Sequence, residues 1–431
     1  MTNVLSRTAA LVAVGALAFG VTACGNKNSG GPAGQAEQKS LVYRSSWGEQ
    51  EPQAKIFKAI LDDFAKQNNV KVDAKFVGRK GTENLPTEMA AGQGPDLFDV
   101  ATDNLPGWRA QNLNAPLDDL LTKQVPGEGK TVGDVLPDSV RQAASDDKGL
   151  GFLPHTVIST AVWYDAAKRP ELADNPPRSW ADLIAFLDKE KAAGRTGIGQ
   201  DGTIPFYNVY WFYSALVRAN GAGSLLALSK DAAAWDKPEV LAAAKQVEQL
   251  TKGGYFQKDH MATKYPAAQD DWAQGNSALN INGTWLASEV KAKTPPGAKI
   301  RSFQLPVGGK DSVEVGALGW GVNVKGKNVE TAKEFLAFAL QSKYLSRIST
   351  EALNIPSRPD IPAPDFLADV QKAIAEAPAV HKTYDTLAAD KAYWVDLLLP
   401  LDDQLLAGKI DAAEFVAQGK KKTADHLANK G

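Results

Sequence analysis

The chain has 431 residues, 44% hydrophobic and 23% charged, a globular composition with room for two domains. Its 48 Lys and Arg nearly balance 50 Asp and Glu, so nothing draws it electrostatically to nucleic acid or an anionic membrane surface. One Cys and four His exclude an internal disulfide and a structural Cys/His zinc site, and no cofactor is implied.

Arg7 precedes an apolar run of 13 residues, Thr8 to Gly20. A helix needs roughly 20 residues to span a bilayer, so this run reads as the core of a secretory signal. Val21-Thr22-Ala23-Cys24 then resembles the lipobox of bacterial lipoprotein signals. That resemblance implies removal of residues 1–23 and lipidation of Cys24 as the new N-terminus. Residues 24–40 contain no large apolar side chain and read as the lipidated Cys followed by a flexible tether. No later stretch approaches a spanning helix, which places the body outside the cytoplasm.

Leu41-Val42-Tyr43 starts a strand, and Pro52 to Gln67 is predicted helical with Ile56, Phe57, Ile60, Leu61 and Phe64 on one face. Val70, Val72, Ala74 and Phe76 alternate with charged residues, a strand with one polar side. Strand, helix and strand make a βαβ unit with a parallel pair. A short helix at Pro86 to Ala91 and a third strand, Asp96 to Ala101, complete an α/β opening. The β-prone run Val157 to Tyr164, introduced by Leu153-Pro154, marks passage into a second lobe. Ser179 is a candidate N-cap for a helix over Ala181 to Ala193. Helices follow near 206–219, 238–252 and 266–274, then a strand at Ala278 to Asn282. Leu318 to Val324 and the helix Val329 to Leu340 return to α/β. Amphipathic helices are predicted near 365–376, 384–407 and 411–428.

Several segments, in order, resemble the extracellular solute-binding proteins of bacterial ABC importers, the family that includes maltose-binding protein. They are Gly92-Gln93-Gly94-Pro95-Asp96-Leu97, Pro177-Arg178-Ser179-Trp180-Ala181-Asp182-Leu183, Trp272 to Leu279 with Asn282-Gly283-Thr284-Trp285, Gly319-Trp320-Gly321-Val322, and Ile355-Pro356-Ser357-Arg358. The run Gly275-Asn276-Ser277-Ala278-Leu279 departs from the family's usual G-K-A-A-M. The resemblance implies a two-lobed periplasmic-binding-protein fold, with two α/β domains joined by crossing segments and ligand in the cleft between them. The lobes are expected at 41–153 with 320–358, and at 154–319 with 359–431.

Sugar sites pair flat aromatic platforms with in-plane polar groups, and the chain carries ten Trp. In such a fold Trp47 and Glu49 follow the first strand and Asp103 and Asn104 the third, at strand ends where open α/β sheets bind ligands. The pair Asp103-Asn104 also reads as a helix N-cap. Trp285 resembles the family's stacking Trp and Trp394 a second stacking position. Trp320 sits between two glycines at an expected crossing. Tyr207, Tyr210 and Trp211 are taken from an eight-residue run with six aromatics, too many for a core alone. His155 and Arg358 lie near crossings, to hold a ligand hydroxyl or brace the hinge. Trp108, Trp163, Trp180, Trp235 and Trp272 read as structural, and Arg79 as a solvated loop charge.

What this implies is a non-enzymatic, monomeric, lipid-anchored receptor. It would capture a carbohydrate, by its aromatics and low local charge a neutral di- or oligosaccharide, and deliver it to an ABC permease. The alternatives are a secreted glycoside hydrolase, which needs a carboxyl pair that no local motif marks, and another cell-surface lipoprotein.

Overall fold

The computed structural model describes residues 38–429; the signal, Cys24 and nearly all of the tether lie outside them. The principal strands in chain order are β1 (Ser40–Ser45), β2 (Lys71–Phe76), β3 (Leu97–Ala101), β4 (Leu153–Ile158), β5 (Thr160–Asp165), β6 (Thr196–Gly199), β7 (Ser277–Gly283), β8 (Ile300–Phe303), β9 (Val313–Glu314), β10 (Gly316–Val322), β11 (Ile355–Pro356) and β12 (Val380–His381).

The opening βαβ unit forms as its pattern requires. The helix Pro52–Asn68 begins on a proline, whose missing N–H costs nothing in a first turn, and closes on Asn69 at φ 49°. Its buried stripe, with Ile56, Phe57, Ile60, Leu61 and Phe64 at helical spacing, packs under parallel β1 and β2. β2 is an edge strand with Lys71, Asp73 and Lys75 in solvent. Ser179 caps the helix Trp180–Ala192 in a reciprocal box with Asp182.

Two sheets build two lobes. The first runs β11-β4-β10-β3-β1-β2, parallel across β3, β1 and β2 and antiparallel elsewhere. The second runs β6-β7-β5-β8. β5 is buried on both faces, which explains its unbroken apolar run. Trp163 points into one core with Trp272, while Val162 and Tyr164 point into the other.

Sheet membership moves the passages between lobes. β4 stays in the first sheet through Ile158, so the chain changes sheet at Ser159 and not at 153. It re-enters the first sheet at Gly316, not at 320. After β11 it leaves again, and the helix Ala368–Ala375 ties to β8 through Asp369, which accepts from Arg301 and from the Ser302 N–H. β9, just before the second passage, pairs in parallel with β12, beyond the third, as a two-stranded ribbon.

The predicted helix 384–407 is broken. Tyr384, Asp385 and Thr386 take left-handed backbone, φ 47°, 52° and 65°. The turn is held because the Asp385 carboxylate accepts from the N–H groups of Gly223, Leu225 and Leu226. Farther on, Leu399 N–H reaches back five residues to the Trp394 carbonyl, just before Pro400, which has no N–H to give. Among the described residues no helix is long and apolar enough to cross a membrane.

Candidate ligand-binding site

Parallel β1, β2 and β3 deliver three loops to one end of the first sheet, and a pocket of about 230 Å³ opens there. Asp99 on β3 organises its wall. Tyr43 donates to it at 2.6 Å, Ser45 at 2.8 Å, and Ser46 through its N–H at 2.7 Å and its hydroxyl at 2.9 Å. Desolvation pushes the Asp99 pKa up against these four donors. Trp47 is half-buried on the rim. The Arg79 guanidinium lies 4.4 Å from its ring centroid, a cation–π contact, and pairs with Glu51. Asn104 borders the pocket but folds back to accept the Ala101 N–H at 2.9 Å.

His155 forms part of the same wall. Its ring is fully buried between Phe57 and Trp320, at centroid distances of 4.7 and 4.6 Å. Nδ1 meets Thr156 Oγ1 at 2.9 Å, and burial lowers its pKa to about 3, so the imidazole is neutral.

The second lobe contributes a continuous aromatic wall. Trp285, just after β7, lies over Gly283, where a Cβ would come within 2.2 Å of the ring. Its indole donates to the Tyr207 hydroxyl at 3.2 Å, and the two rings are nearly parallel at 6.4 Å. Tyr207 stacks on Tyr210, and Tyr210 on Tyr384, with interplanar angles of 17° and 18°. Tyr384 continues to Trp394 and Phe206, and Tyr265 meets Tyr207 edge-on. Phe206 is 42% and Tyr265 41% exposed, large apolar side chains left in water. Tyr207 and Trp285 are half-buried. Asp103, half-buried on the first lobe, lies close enough for its charge to raise the pKa of Tyr384 on the second.

The sequence profile of the bacterial extracellular solute-binding proteins matches residues 47–345. The chain belongs to this family. A probable sugar-binding periplasmic protein of Brucella suis is 24% identical over 369 residues, covering 83% of this chain and 85% of that one. A diacetylchitobiose-binding protein of Streptomyces coelicolor is 23% identical across 62% of this chain and 59% of its own. Among solved structures, a chitin oligosaccharide binding protein superimposes with TM-score 0.70 at 20% identity, over 92% of this chain and all of that one. A cyclo/maltodextrin-binding protein complexed with maltotetraose also gives 0.70, at 18% identity, over 92% and 99%. These likenesses establish the two-lobed fold.

In this solute-binding protein several expected contacts turn out to be framework. Trp320 is 0% exposed, because the glycines beside it serve close strand packing and do not bare the ring. A Cβ at Gly319 would meet the Leu153 carbonyl at 2.1 Å, and one at Gly321 would meet Val100 at 2.6 Å. Trp211 is interior, its indole donating to Gln200 at 3.0 Å. The helix Tyr210–Asn220 is buried all round from Tyr210 to Arg218, so its aromatics can be core. Tyr210 is therefore closed off as well, an inner layer behind Tyr207, and Trp394 is sealed behind Phe206 and Tyr384. Arg358 is clamped by Glu128, Asp360 and the Leu340 carbonyl. Glu49 is exposed and lines a separate groove along the helix Pro52–Asn68. Trp108, read as structural, lines the first-lobe pocket, Phe206 belongs to the aromatic run but not to the residues taken from it, and Asp99, Tyr265 and Tyr384 are not among the expected contacts. Of these, Asp99 carries a signal as a carboxylate in an otherwise apolar strand, and Phe206 as a member of the aromatic run.

A Gly283→Ala substitution is expected to displace the Trp285 ring at a cost of about 1 kcal/mol, the low end for overpacking because a half-exposed indole can move. Ligand titration alongside a thermal melt checks this; the loss should fall on affinity more than on melting temperature.

Proposed function

We propose that the protein is a receptor that closes around a neutral di- or oligosaccharide and releases it unaltered to an ABC permease. The observation that carries this reading is the half-exposed aromatic surface of Tyr207, Trp285, Tyr265 and Phe206 on the second lobe. Pyranose rings have an apolar C–H face that lies flat on such surfaces while edge hydroxyls seek polar groups. Relatives and structural neighbours described as binding saccharides support it. In this reading the first lobe is 38–158 with 316–356 and the second is the remainder. Contacts made by both lobes exist only when they close, so ligand shifts the population toward closure. Anchoring through lipidated Cys24, a monomeric state and placement on the outer face of the cytoplasmic membrane belong to the same proposal.

Calorimetry of the soluble body against chitobiose, maltotetraose, galactose and raffinose tests the reading. At least one neutral saccharide should bind and be recovered intact after prolonged incubation. Binding of a peptide or cation with no saccharide, or recovery of shortened products, would overturn it.

A further inference from the structure

Two of the three passages between the lobes, at Ser159 and at Val315, meet beside one buried carboxyl group, Glu314 of β9. Thr160, the first residue of β5, donates to Glu314 Oε2 at 3.1 Å. Thr383, two residues beyond β12, and Tyr213 stand beside the same carboxyl. The junction is tight: a Cβ at Gly316 would fall 2.1 Å from Thr383 Oγ1 and 2.7 Å from Ile158 at the end of β4. Glu314 thus adjoins the first two passages and the residues just beyond β12.

Its charged neighbours on each side do not neutralise it. Asp103 faces it from the first lobe and raises its pKa. Tyr210, Tyr213 and Tyr384 face it from the second lobe. His381, opposite Glu314 in the β9/β12 pair, is held neutral by burial, its pKa near 3, and bonds Ser312. Arg218 is turned toward the carbonyls of Leu305 and Ser312 and pairs with Asp311. None of the ion pairs among the described residues includes Glu314.

We propose that Glu314 is a proton-controlled latch on the hinge: its neutral form holds the lobes as described here, and its ionised form drives them apart. Separation would hydrate the carboxylate and carry Asp103 away from it. Burial raises the Glu314 pKa to about 7 in this arrangement, so a swung-open hinge that admits water returns it toward the ordinary carboxylate value. Between those two values the proton binds more tightly to the arrangement described here, which is therefore favoured by acid and progressively lost as pH rises. Above about pH 7 both arrangements are ionised and the dependence ends. The effect on lobe separation does not rest on the saccharide-receptor reading.

The test compares the wild-type body with Glu314→Gln between about pH 5 and about pH 7.5. Small-angle scattering without saccharide should show the wild type expanding as pH rises while the variant stays constant. Asp103→Asn, which leaves the hinge residues in place, should flatten the scattering change in part. A wild-type radius independent of pH, or an expansion that persists in Glu314→Gln, overturns the latch. If no saccharide binds while the expansion is present and abolished by the substitution, the receptor reading falls and the latch stands.

Discussion

Replacing Arg358 with alanine is expected to cost about 3 kcal/mol of folding stability, the low end for breaking a buried ion pair. Its side chain is 2% exposed, and it joins Glu128 at 2.6 Å to Asp360 at 2.7 Å while donating to the Leu340 carbonyl at 2.9 Å. The low end applies because the stranded carboxylates retain some water, Asp360 most of all. These bonds tie the segment after β11 to the 125–130 turn and to the end of the helix Val329–Ala339, so the loss acts where the chain leaves the first lobe. Arg358 holds the Asp360 carboxyl below its ordinary pKa, and at Glu128 the Ser342 N–H and then Arg358 lower the pKa against desolvation. A depressed folded-state pKa gives stability that is present above the unfolded value and lost as pH falls through the folded one. The parent should therefore lose stability in the acid range, and Arg358→Ala should lose less of it, keeping the part that the Ser342 N–H supplies at Glu128. Urea melts at neutral and acid pH measure both effects. Unchanged stability with weakened saccharide binding would return Arg358 to the ligand.

The elements of the opening lobe were legible because each carries one period. The helix stripe at Ile56, Phe57, Ile60, Leu61 and Phe64 and the alternation through Val72, Ala74 and Phe76 both formed as read. Period says nothing about which end of a strand belongs to which sheet, so β4 and β10 were divided too early and too late. The 384–407 stretch has a helical period as well, but tertiary bonds from Asp385 to the backbone of 223–226 outweigh it. Composition identifies aromatics without saying which are covered. Trp320, Trp211 and Trp394 were singled out by local sequence, yet each is enclosed by residues distant along the chain, such as Phe57 and Phe335 around Trp320. Trp285 is marked by its resemblance to the family's stacking Trp after a strand, and Gly283 leaves it the room it occupies. Tyr265 and Phe206 reach the same wall from separate segments, a neighbourhood only the fold creates.

Trp285→Ala is expected to weaken saccharide binding by at least about thirtyfold, roughly 2 kcal/mol, the scale of a Trp anchor at the centre of an interface. Two terms add. The ring offers the broadest half-exposed face of the second lobe's wall, and it fixes Tyr207 through the 3.2 Å bond from its indole N–H. Without that bond Tyr207 keeps its stack on Tyr210 but loses its orientation toward a ligand. Tyr207→Phe removes only the acceptor and should cost less, about the 0.5–1.5 kcal/mol of one hydrogen bond. The ring is only partly buried, so the alanine variant should melt near the parent, which separates loss of contact from loss of fold. Calorimetric titration of both variants beside thermal melts decides the matter. Parent-like affinity in Trp285→Ala would place the saccharide elsewhere, against the Trp47 and Arg79 stack of the first lobe. A guanidinium already covers one face of that indole, so a sugar there must displace Arg79 or take the opposite face.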